Sequence, residues 1–250
     1  MEGSDVSLSG KTALITGAAK RIGGTLAVAL AREGVQIVVH YNHSEQEAAA
    51  LCSEIKELGG QAWPVKGNLE DPGETETVFR DSVARAGPID ILINNASIFD
   101  VETIWQMTDE SLCRNMRIHT MAPLILSKAL AGQQRSGHII NLLDTRVVSY
   151  DKDHAAYHIS KRSLLTLTRI LALELAPKIA VNAVAPGLIL PSALQDEAYL
   201  DRLAPTTPLQ RHGSPADVVQ AALFLLHSRF TTGQIIYVDG GYHMRGHLYD

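Results

Sequence analysis

Short apolar runs alternate along this chain with longer stretches in which apolar residues recur every three or four positions. "KTALIT" (11–16), "VQIVVH" (35–40), "IDILIN" (89–94), "GHIINLL" (137–143), "IAVNAVA" (179–185) and "QIIYVDGG" (234–241) read as strands. "QAWPVK" (61–66) is a weaker strand, because Pro64 cannot donate to a ladder. Between them, residues 21–33, 44–58, 73–86, 109–131, 154–176 and 215–226 read as helices, the last opening on Pro215 at its first position. The proline-rich stretch 187–214 reads as a loop carrying one short helix, and it is the segment expected to shape a substrate pocket.

Most of the seven strand-like runs are apolar throughout rather than alternating. That pattern belongs to parallel strands covered on both faces. No linker interrupts the alternation. The expectation is one α/β domain over residues 1–250, doubly wound and Rossmann-type, with a seven-stranded parallel sheet and helices on both sides.

Composition narrows the partners. The chain has 250 residues, a net charge of −5 and dispersed Lys and Arg, which gives no footprint for nucleic acid or an anionic membrane. No apolar segment is long enough to span a bilayer, and the first residues lack the pattern of a signal peptide. Two cysteines, Cys52 and Cys113, suggest neither a disulfide framework nor a metal site. The expected setting is cytoplasmic.

The first strand runs through "TGAAKRIGG" into the first helix. Such a turn points backbone N–H groups and the positive helix end at a phosphate, with Gly17 and Gly23 allowing close approach and Lys20, Arg21 and Ile22 between them. The end of the second strand reads His40, Tyr41, Asn42, His43, Ser44, with no acid to accept from ribose hydroxyls. Lys20, Arg21, His43 and Ser44 together suit a 2′-phosphate, so NADPH is expected rather than NADH.

A second constellation lies in "IINLLDTRVVSYDKDHAAYHISK" (139–161). Asp144 ends a strand, and Tyr157 and Lys161 lie one helical turn apart on one face. A nearby ammonium is expected to lower the phenol's pKa from about 10 and so improve it as a proton donor. A carboxylate would repel a developing oxyanion, so Asp144 suits the reduction of a C=N bond better than that of a C=O bond.

With these motifs in hand, the chain resembles the short-chain dehydrogenase/reductase family over nearly its whole length. "TGAAKRIG" is similar to that family's T-G-x-x-x-G-x-G loop with Arg21 at the middle glycine, "NNAS" (94–97) to its N-N-A-G segment, "YHISK" to Y-x-x-x-K and "VAPG" (184–187) to its P-G segment. The resemblance implies that Asn95, Ala96 and Ser97 line the cofactor cleft and that Asn68 and Leu69 flank the adenine. It also implies that Pro186 and Gly187 lie near the nicotinamide, and that Lys161 reaches the ribose hydroxyls beside Tyr157.

Asp144 stands where the family usually has serine, and His119 where it has an asparagine that serves a proton relay. These departures, with "NNASIF" and "SYDKDHAAYHISK", resemble the pteridine reductase branch and its dihydromonapterin reductases. That resemblance implies a pterin stacked on Phe99, with Arg21, Ser97, Asp144 and Tyr157 at its polar edge. Asp144, Tyr157, Lys161 and His119 are then the catalytic candidates.

The expected activity is NADPH-dependent reduction of a dihydropterin to the tetrahydropterin. The alternatives are a carbonyl reductase acting on 3-oxoacyl thioesters and a dinucleotide-binding regulator without catalysis. By resemblance, the protein is expected to form a homo-oligomer, a tetramer rather than a dimer, through the helices near 109–131 and 154–176.

Overall fold

The computed structural model describes residues 7–191 and 196–247. The expected substrate loop at 187–214 therefore lies partly outside the described residues. Seven strands form one parallel sheet: β1 Thr12–Ile15, β2 Gln36–Tyr41, β3 Ala62–Lys66, β4 Ile91–Asn94, β5 Gly137–Leu142, β6 Ile179–Pro186 and β7 Ile235–Val238. The order is β3-β2-β1-β4-β5-β6-β7. β3 lies at the edge, which is where a strand can hold Pro64 without breaking a ladder on both sides.

The helices are α1 Arg21–Arg32, α2 Glu45–Glu57, α3 Pro72–Ala86, α4 Asp109–Met116, α5 Ala122–Gly132, α6 Ala155–Glu174, α7 Glu197–Leu203 and α8 Pro215–His227. Alternate residues of each strand feed opposite cores. Ile15, Val39 and Ile93 pack with residues of α1, α2 and α8. Leu14, Val38 and Leu92 pack with residues of α3, α5 and α6. The five central strands, β1, β2, β4, β5 and β6, are buried on both faces, which is why they read as continuous apolar runs.

One element departs from expectation. The single helix anticipated over 109–131 is broken by a π-helical turn, Arg117–Met121, between α4 and α5. Pro123 has no N–H for the carbonyl of His119 four residues earlier, so a wider turn is the natural accommodation. The bulge carries His119 inward, where it is buried.

The strand order reverses between β2 and β5 on either side of β1 and β4. In an open α/β sheet, the carboxyl ends of the strands at such a point form a crevice. The glycine turn after β1, the "NNAS" segment after β4 and Asp144 after β5 all converge there.

Candidate active site

The turn from β1 into α1 is built for close approach. Gly17 has a left-handed φ of 60°, and a Cβ on it would sit 2.9 Å from the Ala96 Cα. A Cβ on Gly23 would come within 2.6 Å of Asn95 Nδ2 and 2.7 Å of the Gly17 oxygen. Asn95 Nδ2 donates to the Thr16 and Gly17 carbonyls at 2.8 and 3.0 Å, tying the end of β4 to the turn. The N-cap of α1, Lys20, makes no side-chain cap, and no acid lies in the first turn. The first amides of α1 therefore offer unopposed donors to an anion.

A cleft of about 450 Å³ runs over this turn. It gathers Gly17, Lys20–Gly23, residues 40–44, Asn68, Leu69 and residues 95–97 in one wall, as expected for a dinucleotide. Its residues fit such a group: an uncapped helix end for the pyrophosphate, and no acid at the end of β2. Lys20 Nζ is 3.2 Å from Glu47, an exposed pair that a 2′-phosphate can compete with. Pro186 and Gly187 stand at the end of β6, where the Gly187 N–H donates to the Val238 carbonyl.

Two residues of the cleft make hydrogen bonds that shape it. His40 accepts from the Gly17 N–H through Nδ1 at 3.0 Å, and its Nε2 lies 3.1 Å from the Gly67 carbonyl. It is buried, and desolvation lowers its pKa to about 4 against the Gly67 hydrogen bond, so it is a neutral strut under the turn. Arg21 adopts φ 59° and reaches the Pro191 carbonyl at 2.7 Å. A non-glycine residue in that conformation costs about 1 kcal/mol, and here the cost buys a side chain that spans the cleft.

At the end of β5, Asp144 caps a short 3-10 turn, accepting from the Arg146 N–H at Oδ1 (2.8 Å). Its Oδ2 accepts from the Tyr157 hydroxyl at 2.9 Å. Lys161 is buried and donates to the Leu142 carbonyl at 2.7 Å, with Nζ 5.6 Å from the Tyr157 ring centroid. Acid, phenol and ammonium are thus assembled as the spacing implied.

The electrostatics differ from the sequence expectation. The Tyr157 hydroxyl is pushed well above its ordinary pKa by burial, by the Asp144 charge and by the hydrogen bond to Asp144, with Arg146 and Ser97 pulling the other way. The carboxylate touches the phenol while the Lys161 ammonium is turned to the Leu142 carbonyl, so Asp144 leads among the charges acting on the hydroxyl. Burial lowers Lys161 itself to about 8, Asp144 opposing.

His119 has both ring nitrogens engaged. Nε2 accepts from the Ile98 N–H at 3.2 Å and lies 2.9 Å from Ser97 Oγ, while Nδ1 lies 2.8 Å from Ser160 Oγ. Since Ser160 already donates to the Tyr157 carbonyl, His119 donates from Nδ1 and is neutral. Burial, then the nearby Lys161, hold its pKa well below 6.5. It packs edge-on to Tyr157, with centroids 5.3 Å apart. In this arrangement it orders Ser97 and the loop after β4.

Phe99 is half-exposed at the mouth and stacks on His154 at 3.9 Å, its ring also edge-on to Tyr157 at 4.8 Å. β7 ends at Val238, and Asp239 turns the chain there, buried and accepting from Thr145 Oγ1 at 2.6 Å, which anchors the segment after Asp144.

The comparisons with known proteins agree with this geometry. A family described as enoyl-(acyl carrier protein) reductase matches residues 17–243. The 3-oxoacyl-[acyl-carrier-protein] reductase FabG of Staphylococcus epidermidis is 33% identical over 249 residues, covering 94% of this chain and 99% of that protein. The chain belongs to the short-chain dehydrogenase/reductase family. Versicolorin reductase 1 of Aspergillus parasiticus is 33% identical, with 94% and 97% covered. Among solved structures, FolM alternative dihydrofolate reductase 1 of Brucella suis, in complex with NADP, superposes with a TM-score of 0.91 at 32% identity, with 97% and 98% covered.

Tyr157, Lys161 and Asp144, the residues that the resemblance singled out, stand together where β5 ends and α6 begins. Three polar residues at the mouth escaped the sequence reading: Arg146, Asp151 and His154. Arg146 Nε lies 3.0 Å from Asp151 Oδ2, and Asp151 Oδ1 pairs with His154 Nδ1 at 2.9 Å. Asp151 and His154 are only three residues apart, but Arg146 shares no period with them, and only the folded loop brings all three together. Arg114, which pairs with Glu70 at 2.9 Å and Asp100 at 3.3 Å across the far end of the cleft, was missed for the same reason.

Proposed function

We propose that the protein is an NADPH-dependent reductase of the C=N bond of a dihydropterin, giving the tetrahydropterin. The observation that carries this reading is the Asp144 carboxylate, held 2.9 Å from the Tyr157 hydroxyl where a ketone reductase would present a serine. The likeness to the Brucella FolM reductases supports it.

The cleft over the glycine turn would hold NADPH, which would supply the hydride. Asp144 is an acceptor for N–H groups of the heterocycle, which a ketone lacks. The proton that the reduced ring nitrogen takes up passes through the Asp144–Tyr157 hydrogen bond, the only acid–phenol contact at the mouth among the described residues. Tyr157 alone is a poor donor while the carboxylate holds its hydrogen, so the pair acts as a unit. Phe99 supplies an aromatic wall for the ring, with Arg21 and Ser97 on the polar edge. His119 is assigned to ordering Ser97. The exposed Ile170 and Leu173 on α6 support self-association through that helix.

A second reading, 3-oxoacyl thioester reduction, is favoured by the identity to FabG. The deciding experiment is NADPH oxidation with 7,8-dihydromonapterin and with an acetoacetyl thioester, side by side. Turnover of the pterin alone upholds the proposal. Turnover of the thioester alone replaces it, and NADPH binding without either turnover removes both.

Lys161 sets a pH limit that the same assay can read. Its charged form orders the cofactor ribose and predominates below its pKa of about 8. The value of kcat/KM for NADPH should therefore be level below pH 8 and fall about tenfold per pH unit above it. A profile level to pH 10 would show that Lys161 is neutral or unneeded in the reaction.

A further inference from the structure

The residues already assigned leave one organised cluster at the mouth unexplained. Arg146 sits in the 3-10 turn directly after Asp144. Its Nη1 lies 3.7 Å from Asp144 Oδ2, its Nε 3.0 Å from Asp151 Oδ2, and its guanidinium carbon 5.0 Å from the centroid of Phe99. One side chain thus touches both the acid and the aromatic ring that the proposed function places against the substrate.

Asp151 completes the arrangement. It accepts from the Asp153 N–H at 2.9 Å and pairs with His154 at 2.9 Å. His154 in turn stacks on Phe99 at 3.9 Å with an interplanar angle of 14°. The backbone reinforces this: the Glu102 N–H donates to the Asp153 carbonyl, and the Ala155 N–H to the Glu102 carbonyl. The segment carrying Phe99 is therefore clamped to the start of α6, and the clamp closes through Asp151 and Arg146 onto Asp144.

The charges are consistent with a permanent ion pair. Burial opposes ionisation of Asp151, but the hydrogen bonds from His154 and the Asp153 backbone, with the His154 and Arg146 charges, hold its pKa at about 2. A planar guanidinium can engage two carboxylates and an aromatic face at once, which an ammonium cannot.

We infer that Arg146, anchored by Asp151, is a positioning residue that fixes the spacing between the Asp144 carboxylate and the Phe99 ring, and so selects flat substrates with an N–H edge. This rests on the reading of Asp144 and Phe99 as substrate contacts. Displacing a reacting group by about 1 Å can cost about 10²-fold in rate, which sets the scale.

The test compares Arg146→Gln, Arg146→Lys, Asp151→Asn and the double Arg146→Gln/Asp151→Asn variant in the full-length protein. Dihydropterin and acetoacetyl thioester turnover, NADPH affinity by fluorescence and melting temperature are measured for each. Arg146→Gln should lose about 10²-fold in kcat/KM for the dihydropterin, with KM rising, while NADPH affinity stays within about twofold.

Asp151→Asn, which leaves Asp144 and Phe99 untouched, should lose a comparable factor. The double variant should be no worse than the poorer single one, because the two residues act as one unit. Arg146→Lys should recover less than tenfold of the loss, since its point charge cannot span both carboxylates.

A loss below threefold in Arg146→Gln overturns the inference. So does an intact Asp151→Asn enzyme, or a fall in NADPH affinity and melting temperature that parallels the fall in turnover, which marks a merely structural role. If the wild type reduces only the thioester, the proposed function fails. The same comparison on the thioester then decides the inference separately: a tenfold or greater loss with NADPH affinity kept upholds positioning by Arg146, and an unchanged rate overturns it.

Discussion

Asp144→Ala should lower dihydropterin reduction about 10³-fold while NADPH binds within about twofold of the wild type. General acid–base groups contribute about 10²–10⁴-fold, and here the carboxylate and the phenol form one hydrogen-bonded unit, so the loss belongs in the upper part of that range. Asp144 is not among the residues that line the cleft over the glycine turn, so cofactor affinity has no reason to follow.

The same substitution removes two of the three influences that hold the Tyr157 hydroxyl above its ordinary pKa, leaving burial alone. Asp144→Ser should therefore free the phenol and install a hydroxyl donor, raising thioester turnover as pterin turnover falls. Steady-state kinetics on both substrates, with NADPH titrated by fluorescence, read the exchange. Dihydropterin turnover retained within tenfold in Asp144→Ser would remove the special role of the acid.

Gly23→Ala should weaken NADPH binding by about 10²-fold and destabilise the protein by about 1–3 kcal/mol, the usual cost of forcing extra volume into a packed site. The added methyl meets Asn95 Nδ2 at 2.6 Å and backbone atoms of Gly17 and Ala18 at 2.7 and 2.9 Å, so nothing soft is available to yield. Displacing Asn95 also breaks its bonds to the Thr16 and Gly17 carbonyls, which shape the anion-binding turn.

The neighbouring glycine is the control. A Cβ on Gly24 meets nothing closer than 3.5 Å, so Gly24→Ala should keep NADPH affinity and gain up to about 1 kcal/mol from helix propensity. Thermal melts and NADPH titrations of the two variants separate the cases. Equal NADPH affinity in both would show that the close approach at Gly23 does not matter.

The pattern of the chain carried most of the fold because the five central strands are buried on both faces. Ile15 and Leu14, adjacent in sequence, pack into opposite cores, and that requirement writes itself as an unbroken apolar run. Pro64 marked its run as a weaker strand, and the structure places that strand, β3, at the edge of the sheet. The helix over 109–131 misled for a complementary reason. Its apolar spacing is helical on both sides of the break, and the π-turn appears only when backbone bonds around Pro123 are counted.

The site divides the same way. Gly17, Gly23, Asp144, Tyr157 and Lys161 were legible as candidates because a glycine turn at a strand end and an i, i+4 pair are local patterns. The tightest clearances at the two glycines come instead from Ala96 and Asn95, far along the chain. His40 and His119 were legible as positions, but their roles were not. Burial makes one a neutral strut between the Gly17 amide and the Gly67 carbonyl, and locks the other between Ser97 and Ser160.

The sequence by itself determined the sheet, the glycine turn and which side chains are candidates for the chemistry, since periodicity and short-range spacing are properties of the chain alone. Only the tertiary structure decided which way the protons are held. Whether Tyr157 faces an ammonium or a carboxylate depends on ångström distances between β5, α6 and the loops at the mouth. Those distances placed Asp144 on the phenol, Lys161 on the Leu142 carbonyl, and Arg146 between the acid and Phe99.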